Sequence, residues 1–195
     1  MGYRLSKIYT KTGDQGETAL SDNKRIPKNS LIIETIGQLD HLNASIGVVI
    51  AFSTHTEINQ ILTVIQQHLF NIGGQLSYPQ FSGFSAADVT WLESVLDQLN
   101  GKLPPIKEFI LPGGSEASAL CHQARTIARA LERTYVSLMH AEVGKNPIIL
   151  QYLNRLSDLL FVLARSLNLK DKHQEILWES PKTQKAKEAQ WKLLS

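Results

Sequence analysis

Apolar residues recur at three- and four-residue steps through most of the chain, the spacing that lines one face of an α-helix. Ile32, Ile36, Leu39, Leu42, Ile46 and Val49 set out a first helix from about residue 30. Ile58, Ile61, Ile65, Leu69, Ile72 and Leu76 set out a second, which stops at Pro79 because a proline disfavours helical backbone in the residue before it. Ser85-Ala-Ala-Asp88 has the spacing of a capping box, and Val89, Leu92, Val95 and Leu99 continue it as a third helix to Asn100-Gly101. A fourth opens at Ser115, behind Pro112-Gly113-Gly114, and runs to about Glu142. Asn146 caps a fifth, with Pro147 in its first turn where the missing N–H costs nothing, and this helix runs to about Asn168. The polar tail from Lys170 has room for a short sixth near 182–194. Five long helices with short connections and almost no strand pattern predict an all-α five-helix bundle. We divide the single domain into a non-helical segment, 1–29, a bundle, 30–168, and a polar tail, 169–195.

Composition narrows the chemistry. Over 195 residues, 43% are hydrophobic and 19% charged, which excludes a disordered chain and a collagen-like repeat. The net charge of +2 is too balanced to recruit nucleic acid or an anionic membrane, so any anion site has to be a local cluster. Cys121 is the only cysteine, which excludes an intrachain disulfide or thiolate metal site and suits a reducing compartment. Met1–Lys7 lacks the apolar run of a secretory leader. No stretch of 18 residues is apolar without a polar or charged break, so a cytoplasmic protein with no membrane partner is expected.

Three places could carry chemistry. Ile8 to Thr18 holds Gly13 and Gly16, three threonines and Lys11, a composition that suits a phosphate cradle or, more plainly, a glycine-containing hairpin turn with polar decoration. It is not a Walker A loop, since no Lys-Ser/Thr follows the second glycine. On the fourth helix, Ser118, His122, Arg125, Arg129, Glu132 and Arg133 fall on one face, opposite Leu120, Ile127, Leu131 and Leu138. Arg125–Arg129 and Arg129–Arg133 are like-charge pairs four apart, each unfavourable by about 0.2–0.5 kcal/mol on an isolated helix. Such a stack suits an anion, which guanidinium forks grip better than ammonium groups. On the fifth helix, Gln151, Asn154, Asp158 and Arg165 make a polar stripe opposite Leu153, Leu156, Leu160 and Leu167. A solvated face is the ordinary alternative for both stripes. Phe109 stands just before a rigid Pro-Gly-Gly turn, as core or as a pocket wall. The six histidines lack the spacing of a zinc site, and no metal ligand is assigned.

Together these pieces resemble the PduO-type ATP:cob(I)alamin adenosyltransferases. The matching segments run in order: Tyr9-Thr-Lys-Thr-Gly-Asp-x-Gly16, Gly37-x-x-Asp40-x-Leu-Asn43, Phe109-Ile-Leu-Pro-Gly-Gly-Ser115, Ala124-Arg-Thr-x-x-Arg-x-x-Glu-Arg133 and Leu153-Asn-Arg-Leu-Ser-Asp158. The resemblance implies a homotrimer with active sites between subunits. It implies that ATP is held by Tyr9, Thr10, Lys11, Thr12, Gly13 and Asp14, with Gly16, Thr18 and Lys28 nearby, and by Arg129, Glu132, Arg133, Asn154 and Asp158. Asp40 and Arg125 would bridge subunits at the site. Phe109 would crowd the lower face of the corrin and keep its base off cobalt. The implied reaction moves the 5′-deoxyadenosyl group of ATP to cob(I)alamin, with Mg²⁺ present and triphosphate leaving. The implied partners are a reductase and an adenosylcobalamin-dependent enzyme. A non-catalytic member of the fold that binds ATP or the finished coenzyme is the alternative. His41, Asn29-Ser30, Ala130 and Gly74-Gln75 depart from the family's common residues.

Overall fold

The computed structural model describes residues 8–21, 24–142 and 144–191, with backbone only for 186 and 188–191. The reading of Met1–Lys7 and the end of the sixth helix beyond 191 lie outside them. Six helices follow a two-stranded hairpin: β1 (Glu17–Ala19), β2 (Arg25–Pro27), α1 (Leu31–Phe52), α2 (Thr56–Ser77), α3 (Ala86–Asn100), α4 (Glu116–Ala141), α5 (Pro147–Lys170) and α6 (Pro181–Trp191). The helix starts lie where the local chemistry put them. Ser85 and Asp88 close the capping box on α3, Ser115 accepts from Ser118 N on α4, and Asn146 accepts from Ile148 N on α5.

Helix faces then decide the packing. Across the bundle the neighbours run α2, α1, α4, α5, α3. Leu42, Ile46, Leu62, Ile65, Leu92, Leu131, Leu156 and Leu160 are among the sealed core residues. Several polar groups in this core are paired across helices, as burial favours. The side chains of Asn43 and Gln66 each donate to the other's backbone carbonyl, at 3.2 and 3.0 Å, locking α1 to α2. His68 on α2 reaches Tyr152 on α5 at 3.0 Å and Asp88 on α3 at 3.2 Å, so one ring ties three helices. The Cys121 thiol donates to Leu160 O at 3.2 Å, inside the α4–α5 contact. Among the described residues α5 is long and apolar enough to cross a membrane by length and composition, but 56% of that stretch is buried within the bundle.

Two sequence expectations are corrected and one element is added. The two strands of the antiparallel hairpin were not placed, because three-residue strands are too short to show alternation. On α4 the core face is carried by Ala117, Cys121, Ala124 and Ala128, then Leu131, Tyr135 and Leu138. Ser118 and His122 are buried beside it, whereas Leu120 and Ile127 are only partly buried. Small residues let α4 lie close to α1 and α5, and a count of large apolar side chains misplaces the stripe. Finally, Arg165 is not on a wet face: it is 3% exposed and ion-paired to Glu175 at 2.7 Å, in the tail that follows α5.

Candidate active site

The segment before the hairpin is a strap whose shape is set by two left-handed residues, Lys11 (φ 61°) and Gly16 (φ 84°). A non-glycine residue at positive φ is unusual and marks a backbone fixed by its surroundings. Arg25 supplies part of that fixation, donating from Nη2 to Thr12 O at 2.7 Å and from Nε to Glu17 at 3.2 Å. Lys28 N donates to Gly16 O at 2.8 Å. The Lys28 ammonium lies over Gly13, where a Cβ would come within 3.0 Å of it, so Gly13 leaves room for a cation above the loop. The Thr10 and Thr12 hydroxyls are hydrogen-bonded at 2.8 Å. Tyr9, Thr10, Lys11, Thr12, Asp14, Gly16 and Lys28 are exposed, and Gly13 and Thr18 half-buried. Ser21 anchors the hairpin to the end of α2 through Ser77, with N and Oγ at 3.1 and 2.7 Å from its hydroxyl.

The outer faces of α4 and α5 build the second part. Arg129, Glu132, Arg133 and Val136 line a cavity of about 260 Å³. Asn154 on α5 donates to Glu132 at 2.9 Å, and Arg133 Nη1 donates to Arg129 O at 2.9 Å. Arg155 joins the same edge, reaching Asn154 Oδ1 at 3.4 Å and Glu93 at 3.1 Å. This is a local cationic cluster with an acidic partner and amide donors, able to hold a polyanion by charge-assisted hydrogen bonds.

About 6 Å further back along α4, one helical turn, Arg125 opens a larger cavity of about 580 Å³. Its walls include Ile106, Phe109, Ile110, His122 and Phe161. Phe109 is 79% exposed. Both ring nitrogens of His122 and Nε of Arg125 are buried with no hydrogen-bond partner among the described residues. Burial lowers the His122 pKa to about 4, aided by the Arg125 charge and opposed by Glu175. Burial, then the charge of Arg129, also lowers that of Arg125. The His122 ring is therefore neutral at physiological pH.

The structure brings Arg129, Glu132, Arg133 and Asn154 together, and Phe109 with Arg125. Within one chain it does not join the strap to either cavity by a hydrogen bond or ion pair among the described residues. Asp40 and Asp158 are exposed, without an ion pair or side-chain hydrogen bond among the described residues. Sequence reasoning missed Arg25 and Phe161. Arg25 carries no signal before the hairpin is known, and Phe161 reads as one more apolar residue of α5.

The cobalamin adenosyltransferase family model matches residues 8–167. The chain belongs to that family. A cobalamin adenosyltransferase of Cupriavidus metallidurans is 47% identical over 180 residues, 92% of this chain and 97% of its own. A corrinoid adenosyltransferase of Bacillus subtilis is 38% identical over 180 residues, 89% of this chain and 92% of its own. Among solved structures, a phenylalanine-to-alanine variant of the PduO-type ATP:corrinoid adenosyltransferase of Lactobacillus reuteri, complexed with cobalamin and ATP, is similar with a TM-score of 0.84. It is 34% identical and spans 89% of this chain and 100% of that one. An arginine-to-lysine variant of that adenosyltransferase, complexed with ATP, has a TM-score of 0.82 at 35% identity, over 88% and 100% of the two chains.

Proposed function

We propose that this chain moves the 5′-deoxyadenosyl group of ATP to cob(I)alamin, releasing triphosphate and forming adenosylcobalamin. The observation that carries the reading is the juxtaposition on α4: a guanidinium cavity at Arg129–Arg133 and an aromatic-walled cavity at Phe109 and Phe161, one turn apart. The first suits a triphosphate and the second a flat apolar macrocycle. The lone pair of Co(I) attacks C5′ of ATP, a Co–C bond forms, and the C5′–O bond breaks with its electrons leaving on triphosphate. No protein nucleophile is required.

The chain's residues then have four tasks. Thr10, Lys11, Thr12, Gly13 and Asp14 of the strap, with Tyr9, Gly16, Thr18 and Lys28, hold the nucleotide. Arg129 and Arg133 spread the growing charge of the leaving group, and Glu132, Asn154 and Asp158 hold them and the ribose in place. Phe109 and Phe161 exclude water and the corrin's own base from the lower face of cobalt, which eases reduction of Co(II). Asp40 of one copy meets Arg125 of the next in a homotrimer, and the exposed Asp40 with no ion pair among the described residues supports that bridge.

Mg²⁺ fits as a passenger on the phosphates. Among the described residues no three His, Cys, Asp or Glu side chains gather, and Mg²⁺ commonly takes only one or two carboxylates with water and phosphate oxygens. Glu132, whose Oε1 accepts from Asn154 and leaves Oε2 open, is the carboxylate that fits. When bound, the ion withdraws charge from the leaving triphosphate. A reducing cytoplasm with a reductase to supply Co(I) suits a chain whose one cysteine is a buried free thiol.

The test is direct. ATP, Mg²⁺ and anaerobically reduced cobalamin are mixed with the protein and the corrin spectrum is followed. Formation of adenosylcobalamin is expected. Its absence under full reduction rejects the reading, and stabilisation by ATP without turnover would mark a binding protein instead.

A further inference from the structure

Two segments far apart in sequence meet beside the 580 Å³ cavity. Leu111 N donates to Ile176 O at 2.8 Å and Trp178 N to Phe109 O at 2.7 Å, with Ile110 and Leu177 paired antiparallel between them. One side chain holds both. Arg165, 3% exposed on α5, donates from Nε and Nη2 to the two oxygens of Glu175 at 2.7 and 3.2 Å. The same Nη2 donates to Pro104 O at 2.8 Å. Glu175 immediately precedes the tail strand of the ladder, and Pro104 leads into the segment that carries Ile106 and Phe109. A two-pronged guanidinium–carboxylate contact fixes direction as well as distance. The Phe109 ring, being exposed, has little packing of its own to aim it. The ladder holds the backbone that carries the ring, and the fork's contacts to Glu175 and Pro104 O lie at the start of both its strands.

We propose that Arg165 and Glu175 are positioning residues for Phe109, so that the polar tail after residue 170 takes part in the reaction by holding the aromatic wall of the corrin cavity. This rests on the adenosyl-transfer reading above. Without the fork, the tail strand separates from Phe109–Leu111, the ring no longer covers cobalt's lower face, and the base stays on. The guanidinium cavity of Arg129 and Arg133 is untouched, since neither fork residue lines it.

Glu175→Gln keeps the shape and removes the charge, and Arg165→Lys keeps the charge and removes the fork. Circular dichroism checks that each folds, and either variant alone suffices. First, amide hydrogen exchange at Leu111 and Trp178 is measured without substrates. Faster exchange is expected in both variants, and unchanged exchange overturns the proposal whatever the protein's activity. Second, kcat should fall on the order of ten- to a hundred-fold, the scale of a small misplacement near the reacting centre, with KM for ATP unchanged. Third, electron paramagnetic resonance of bound cob(II)alamin with ATP should keep the lower-base nitrogen splitting that the unsubstituted protein loses. Fourth, Glu175→Gln should add nothing in a Phe109→Ala background, because the two act through one ring. A KM for ATP that rises with the loss, release of the base as in the unsubstituted protein, or a full further loss without Phe109 would each overturn it. If the unsubstituted protein makes no adenosylcobalamin, the adenosyl-transfer reading fails by itself, while the exchange result still decides whether the fork holds the ladder.

Discussion

Arg129 stands on the exposed side of α4, so its removal opens no cavity in the core. Arg129→Ala should therefore lower turnover by roughly 10²–10³, the range for losing one preorganised charge stabiliser, while the melting temperature barely moves. Near-normal activity would remove the helix-four cluster from the mechanism. His122 makes a different prediction, about pH. Its folded pKa of about 4 lies below the ordinary 6.5. Between those values the unfolded chain binds a proton that the folded chain refuses, so falling pH favours unfolding. Stability should decline as pH drops from about 6.5 to about 4, and His122 contributes nothing further below that. His68, also lowered chiefly by burial, adds in the same direction. Urea midpoints against pH should show a shallower acid slope for His122→Gln; an identical slope would assign the effect elsewhere.

At the scale of elements, the helix ends depend on local chemistry and are easy to perturb. Ser85→Ala breaks the capping box of α3 and should cost about 1 kcal/mol in chemical denaturation. Gly114→Ala should cost more than a lost cap. Gly114 sits at φ 105°, and a Cβ there would overlap the Asn168 carboxamide that accepts from Ser115 N at 2.9 Å. These caps were legible in the sequence because Ser85, Ser115 and Asn146 act on backbone within three residues of themselves. That Arg129, Glu132 and Arg133 line one cavity was legible too, since they share a face of one helix. What depends on distant chain was not. Arg165 reads as one more polar residue of α5 until Pro104 and Glu175 are folded against it. The α4 core stripe was misplaced because alanines carry it. The β1–β2 hairpin, three residues a side, has no period to read.

For the whole molecule, no hydrogen bond or ion pair among the described residues joins the strap to either cavity within one chain, and a second copy would complete the proposed site. Asp40→Ala should then weaken both assembly and turnover, with sedimentation velocity and steady-state kinetics moving together. Unchanged assembly and kinetics would deny Asp40 the bridge to Arg125. A last consequence belongs to Cys121. Burial pushes its pKa up to about 12, and the thiol is spent on Leu160 O. The thiolate is the form that attacks thiol reagents, so the folded chain should be silent to maleimides and should label only once denatured. A cysteine introduced at Trp178 or elsewhere on the surface would then be the sole reactive handle. A fluorophore placed there could follow the tail strand in real time, against a background that the protein itself keeps dark.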